Sequence, residues 1–214
     1  MKRIAILALF AATSVAFAAD VTKLNPKIEA LAESFVAKSF TDDTPEHIAR
    51  VTNPDNTLKL CSEYRDHPPQ KQAEKLIERE KKNIKYPDNG ILMGDWKAGE
   101  KLANGGFAMR VGKFEPDPIA KQEGGQGGNC YACHAISPKE VAAGNMGSSL
   151  TGYGSMRGMS EEVVKYTYEK IYNAQAFVAC SSMPRLGHNG VLKPEQIADI
   201  TAYLLSPESP VNSK

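Results

Sequence analysis

Cys130-Tyr131-Ala132-Cys133-His134 is the stretch on which the reading of this chain turns. Two thiols three positions apart on a turn can each form a thioether to one vinyl group of a haem. A histidine directly after the second thiol then offers its ring to the iron. The stretch therefore predicts haem c attached through Cys130 and Cys133, with His134 as proximal ligand. Structural zinc also uses Cys-x-x-Cys, but it needs a second ligand pair at similar spacing, and the remaining cysteines, Cys61 and Cys180, stand far apart in the chain. A thioredoxin-like redox pair belongs in a βαβ setting, whereas residues 124–129 ahead of the motif form a Gly-rich loop.

The start of the chain agrees with such chemistry. Lys2 and Arg3 precede an apolar stretch over residues 4–15, and Ala16-Phe17-Ala18 has the small-x-small pattern of a cleavage site. Residues 1–18 thus read as a secretory signal peptide, which predicts export to the periplasm, where haem c is attached and disulfides persist. Its removal takes two cations and no acids from a chain of net charge +1, leaving −1. That balance excludes nucleic acid or an anionic membrane surface as an expected partner. No other stretch approaches the roughly 20 apolar residues of a membrane span.

Two regions follow, an N-terminal extension over 19–93 and a haem region over 94–210. In the extension Asn25-Pro26 opens a helical pattern with Ile28, Leu31, Phe35 and Val36 on one face. Pro45, Asn53-Pro54 and Asp55-Asn56 punctuate a turn-rich stretch. Residues 70–85 read as a highly charged helix whose apolar stripe is Ala73, Leu76, Ile77 and Ile84, the Lys- and Glu-rich remainder being a solvated face. The extension is accordingly expected to be helical and peripheral.

In the haem region Asp95 caps a helix from Trp96 to Ala103, and an irregular connection over 107–129 leads into the motif. Ser160 caps a helix over 161–172 with Val164, Tyr168, Ile171 and Tyr172 on one face. Pro194 at the first helical position opens a final helix running to Leu205. No strand pattern or internal repeat is present, so the fold class is all-α.

A haem iron with one histidine has a second axial position, and its occupant decides between ligand chemistry and electron transfer. Met183 is the expected sixth ligand, on an interhelical loop with Pro184 stiffening the backbone behind it. Met146, Met156 and Met159 are rivals in a Gly/Ser-rich segment, and His188 would give bis-histidine ligation. Cys61 and Cys180, left over in an oxidising compartment, most simply pair with each other. The alternative is Cys180 as a reactive thiol or thiolate ligand. No residue constellation for substrate catalysis is found.

The haem motif, the early helix with Gly99 and Leu102, the Met183-Pro184 loop and the last helix with Tyr203 together resemble the class I cytochrome c fold over about 94–208. In that fold the first and last helices cross at a small residue, a role that would fall to Gly99 against Tyr203. A closer resemblance, to the SoxX family of monohaem cytochromes, rests on the runs 180–190, 192–200, 203–211, 128–134 and 149–154. Lys85-Tyr86-Pro87 and Gly94-Asp95-Trp96 join them. The sequence departs from that pattern at Ser148, where proline is expected, and at Lys193, where a Thr or Ser cap is usual, so the last helix is expected to fray at its start.

What this resemblance implies is specific. SoxX is the small subunit of the SoxAX complex, an L-cysteine S-thiosulfotransferase of bacterial sulfur oxidation that joins thiosulfate oxidatively to a cysteine of the carrier protein SoxYZ. The substrate chemistry is placed on the SoxA partner, and the SoxX haem accepts electrons and passes them to a soluble cytochrome c. The conjugation releases two electrons and one haem holds one, so a second centre or a second encounter is needed. The competing expectations are a free periplasmic electron shuttle serving a respiratory oxidase or reductase, and a haem enzyme or gas sensor with an open axial position.

Overall fold

The computed structural model describes residues 25–39, 52–106 and 127–212. The expected leader over 1–18, the turn at Pro45 and residues 107–126 of the connection lie outside them. The described residues are helical, without strands: α1 (Pro26–Ser39), α2 (Asn56–Glu63), α3 (Gln70–Lys82), α4 (Trp96–Asn104), α5 (Tyr153–Arg157), α6 (Glu161–Tyr172) and α7 (Pro194–Leu205), with 3₁₀ turns at Cys130–Ala132 and Ala174–Ala176.

Helix α7 is the axle of the main core. Ile197, Ile200, Tyr203, Leu204 and Leu205 are all at most 5% exposed, and burying each such side chain contributes about 1.5–3 kcal/mol. Against it lies α4, whose entry is tied down twice: the Asp95 N–H donates to Asp199 Oδ1 (2.8 Å) and the Gly94 N–H to the Ala198 carbonyl (3.1 Å). The two backbones come so close at Gly99 that a Cβ there would fall 2.0 Å from the Asp199 carbonyl oxygen. The small residue expected at the helix crossing is therefore Gly99, and what it meets first is the backbone of Asp199 and Ile200.

The caps follow the sequence with one correction. Asp95 accepts from the Lys97 N–H (2.9 Å) and Ser160 from the Val163 N–H (3.4 Å), as expected of these side chains. Lys193 does not leave α7 frayed, because the Gln196 side chain takes the Lys193 N–H at 2.9 Å, one half of a capping box. At the other end Asn212 donates its amide to the carbonyls of Leu204 (3.1 Å) and Ser206 (2.8 Å), supplying acceptors left open at a helix terminus with donors.

The extension differs from expectation. The apolar stripe of α1 forms, yet none of its residues is buried, and Ile28, Leu31 and Phe35 stay 57–72% exposed. A helix not expected from the sequence, α2, occupies the turn-rich stretch, capped by Asp55, which accepts from the Thr57 and Leu58 N–H groups (3.0 and 2.9 Å). Helices α2 and α3 are not peripheral: Cys61 and Leu76 form a small core of their own with Cys180, from the loop ahead of α7. Nor is the charged face of α3 all solvated, since Glu80 is 2% exposed. The segment after α3 is latched onto α6, where the Tyr168 hydroxyl donates to the Lys85 carbonyl (2.8 Å) and Tyr86 stacks on Tyr168 and donates its hydroxyl to Glu169.

Candidate functional site

The haem motif is held at the C-terminal end of α4. The Gly128 N–H donates to the Leu102 carbonyl and the Asn129 N–H to the Gly105 carbonyl, both at 2.8 Å. Asn129 then turns the chain in the left-handed region, φ 47°, a conformation Asn tolerates better than most residues. The 3₁₀ turn that follows brings the N–H groups of Cys133 (3.1 Å) and His134 (2.9 Å) onto the Cys130 carbonyl. Cys130, Cys133 and His134 thus share one tight turn. Residues 144–150 run alongside as a strap, with N–H groups of Gly144, Gly147 and Leu150 on the carbonyls of Tyr131, Cys133 and Ala135 (2.7–2.9 Å).

The strap decides the state of His134. Its Nδ1 lies 2.7 Å from the Ser148 carbonyl, and a carbonyl only accepts, so Nδ1 carries the proton. In a neutral imidazole so bonded the lone pair sits on Nε2, the tautomer a metal ligand requires, oriented by a backbone partner. The ring lies against Gly147, where a Cβ would come within 2.2 Å of it. Ser148 stands where proline is usual in the resemblance, and its carbonyl does the orienting.

Cys130, His134 and Met183 line a cavity of about 150 Å³. Cys133 is half-buried on the same turn. Ala103, Ile136, Ile171, Leu186, Ile200 and Leu204 supply its apolar walls, and Tyr153, Arg157 and Lys170 a polar side. Tyr153 donates its hydroxyl to Thr167 Oγ1 (3.1 Å), which itself donates to the Val163 carbonyl (2.7 Å). Burial lowers the pKa of Lys170, whose ammonium reaches the Ala174 carbonyl at 3.4 Å. Two cations on a largely apolar lining suit a flat hydrophobic group that carries acids.

The donor set fits haem c. Two neighbouring sulfurs suit two thioethers, an imidazole oriented through Nδ1 lies on the lining, and a neutral thioether lies there too. The other readings of Cys-x-x-Cys fare worse. Burial pushes the Cys130 thiol up to about 12, opposite to the depressed values of reactive thiols. The compact trio of metal-type donors among the described residues is Cys61, Asp66 and Cys180, and its two sulfurs are bonded to each other.

Among the rival methionines, Met146, Met156 and Met159 are 50–76% exposed and none lines the cavity. His188 faces elsewhere, with Nε2 3.5 Å from Asp55 Oδ2 and Nδ1 3.9 Å from Glu80 Oε2. Cys61 and Cys180 form a disulfide, Sγ–Sγ 2.09 Å and Cα–Cα 5.4 Å across 119 residues, so Cys180 is neither a free thiol nor a thiolate ligand.

Behind the methionine loop lies a buried charge cluster that no sequence motif announces. Arg185, 4% exposed, donates to Asp55 Oδ2 (2.6 Å) and Glu80 Oε2 (3.5 Å). Glu80 also accepts from Thr57 and from Asn173 Nδ2 (2.8 Å). The signal lay in register: Glu80 falls on the stripe of Ala73, Leu76, Ile77 and Ile84, where an unpaired acid would not be tolerated.

Comparison with known proteins agrees with this geometry. Residues 125–207 match the family model described as cytochrome c. A protein of Aquifex aeolicus (strain VF5), named an uncharacterized lipoprotein, is 47% identical over 137 residues, covering 64% of this chain and 62% of its own length. The chain thus spans under two thirds of that relative. Among the described residues no helix is long and apolar enough to cross a membrane. Residues 125–207 carry a cytochrome c domain, a helical electron-transfer module that binds haem c covalently.

Proposed function

We propose that this chain is a one-electron carrier in which a single haem c is bonded to Cys130 and Cys133 and ligated by His134 and Met183. The observation that carries the reading is the His134 ring, its Nδ1 committed to the Ser148 carbonyl, on the cavity that Met183 also lines. When bound, the haem supplies a one-electron couple. A thioether is a soft, neutral ligand that favours the ferrous state and raises the potential. The chain's own part is to orient the imidazole, to keep water from an apolar chamber, and to set Arg157 and Lys170 against acidic groups. His134 and Met183 would together hold the iron and leave it no open position for substrate, so no residue of this chain is assigned a catalytic role.

The finer reading is the electron-accepting SoxX subunit of a periplasmic SoxAX-type L-cysteine S-thiosulfotransferase, with substrate chemistry on the SoxA partner. Its support is the sequence resemblance over 128–134, 149–154, 180–190, 192–200 and 203–211, with 85–87 and 94–96. The name of the Aquifex relative, a lipoprotein, fits an exported protein.

Two measurements test these readings. The ferric holoprotein is expected to show the near-infrared methionine-to-iron charge-transfer band, and Met183→Ala to lose it and to bind carbon monoxide when reduced. A band that survives the substitution removes Met183 from the iron. Gel filtration of native extract is expected to give a stable complex with a second cytochrome; a monomer would instead support the free electron shuttle.

A further inference from the structure

We propose that α2 and α3 are a clamp on the loop that carries Met183, with Arg185 and Glu80 as positioning residues and the Cys61–Cys180 disulfide as a second anchor. The proposal rests on Met183 being the axial ligand.

Met183 sits between two attachments to the extension. Three residues before it, Cys180 is bonded to Cys61 of α2. Two residues after it, the Arg185 guanidinium reaches the capping residue of α2, Asp55, and the buried Glu80 of α3. The anchor points are themselves fixed. Cys180 is held at φ 56°, a left-handed conformation that a non-glycine residue keeps only where its surroundings impose it. Glu80 is braced by Thr57 from α2 and by Asn173 from the end of α6. Within the loop the Met183 N–H donates to Ser181 Oγ at 3.3 Å, and the Gly187 N–H returns to the Tyr172 carbonyl at 3.1 Å.

A thioether is a weak, neutral ligand, so its hold on iron depends on how readily its loop swings away. A loop pinned on both sides of the ligand must break one pin before the sulfur can leave. The extension therefore acts on the iron at a distance: it slows loss of Met183 and keeps small ligands out. Arg is suited to the role because its planar fork can engage two carboxylates from separate helices at once.

The test uses ferric holoprotein and the rate at which imidazole displaces the thioether. One variant is Cys61→Ala with Cys180→Ala. The other is Arg185→Met with Glu80→Gln, which removes both buried charges so that neither is left unpaired. Each is expected to keep the near-infrared band at neutral pH but to take up imidazole about tenfold faster or more. Arg185→Lys, which keeps charge and loses the fork, stands in should the double charge variant fail to mature, with the same expectation. Ser160→Ala, which removes the cap hydrogen bond at the far end of α6, controls for stability alone and is expected to leave the rate unchanged. Imidazole uptake within about twofold of wild type in the loop variants, or equal acceleration by Ser160→Ala, overturns the clamp. Absence of the band from wild type defeats the ligand assignment itself, so the two failures are told apart.

Discussion

His134 shows how much a single side chain depends on neighbours that sequence spacing does not reveal. The motif specified two sulfurs and an imidazole, but the tautomer comes from a carbonyl fourteen residues on, and the room for the ring comes from Gly147. Gly147→Ala would drive a methyl group into the imidazole and force ring or strap to move. We expect a loss of about 1–3 kcal/mol in guanidinium unfolding of the holoprotein, together with an altered ferric electron paramagnetic resonance spectrum as the His134 ring tilts. A variant with unchanged spectrum and stability would mean that the strap yields freely. Glu80 teaches the complementary lesson: in a helix dense with Lys and Glu, one acid on the apolar register does not stand out, because its cation, Arg185, lies 105 residues away.

Helices with strong punctuation were readable. Asp95, Ser160 and Pro194 each mark an N-terminus, and the bounds of α6 and α7 match the expected ones because cap chemistry and apolar period agree there. Helix α2 was missed since it is short, and its signals, Asn53-Pro54 and Asp55-Asn56, read as turn residues; Asp55 is in fact a cap. The crossing of α4 and α7 was anticipated through Gly99, but its contact, the Asp199 backbone, is a matter of helix register that periodicity leaves open. Gly99→Ala is expected to cost about 2–4 kcal/mol, because backbone meets backbone there and no side chain can move aside. Thermal unfolding followed at the haem absorbance would measure it. A change under about 0.5 kcal/mol would show that the helices can part without loss.

The molecule as a whole joins its extension to its cytochrome domain by charge as well as by disulfide, and this gives its stability a pH dependence. For Glu80, burial pushes the carboxyl up, but hydrogen bonds from Thr57 and Asn173 and the charges of Arg185 and His188 outweigh it, so the pKa lies below the ordinary 4.5. For Asp55, burial acts upward too and is outweighed by the Leu58 N–H, Arg185 and His188, leaving the pKa below 3.8. An acid whose pKa is depressed by folding contributes stability that is complete above its unfolded value and disappears as pH falls through the folded one. The extension should therefore loosen from the methionine loop only below pH 4.5, with the ion pairs intact throughout the neutral range. Glu80→Gln removes one of the two carboxylates on a buried guanidinium and is expected to cost about 3 kcal/mol at neutral pH. That deficit should shrink as pH falls below 4.5 and through the depressed pKa of Glu80, because wild type then loses the same charge by protonation. Denaturant titrations of both proteins across this range measure the difference directly. A deficit that stays constant with pH would show that Glu80 titrates alike in folded and unfolded chains, and that shape rather than charge joins the extension to the haem domain.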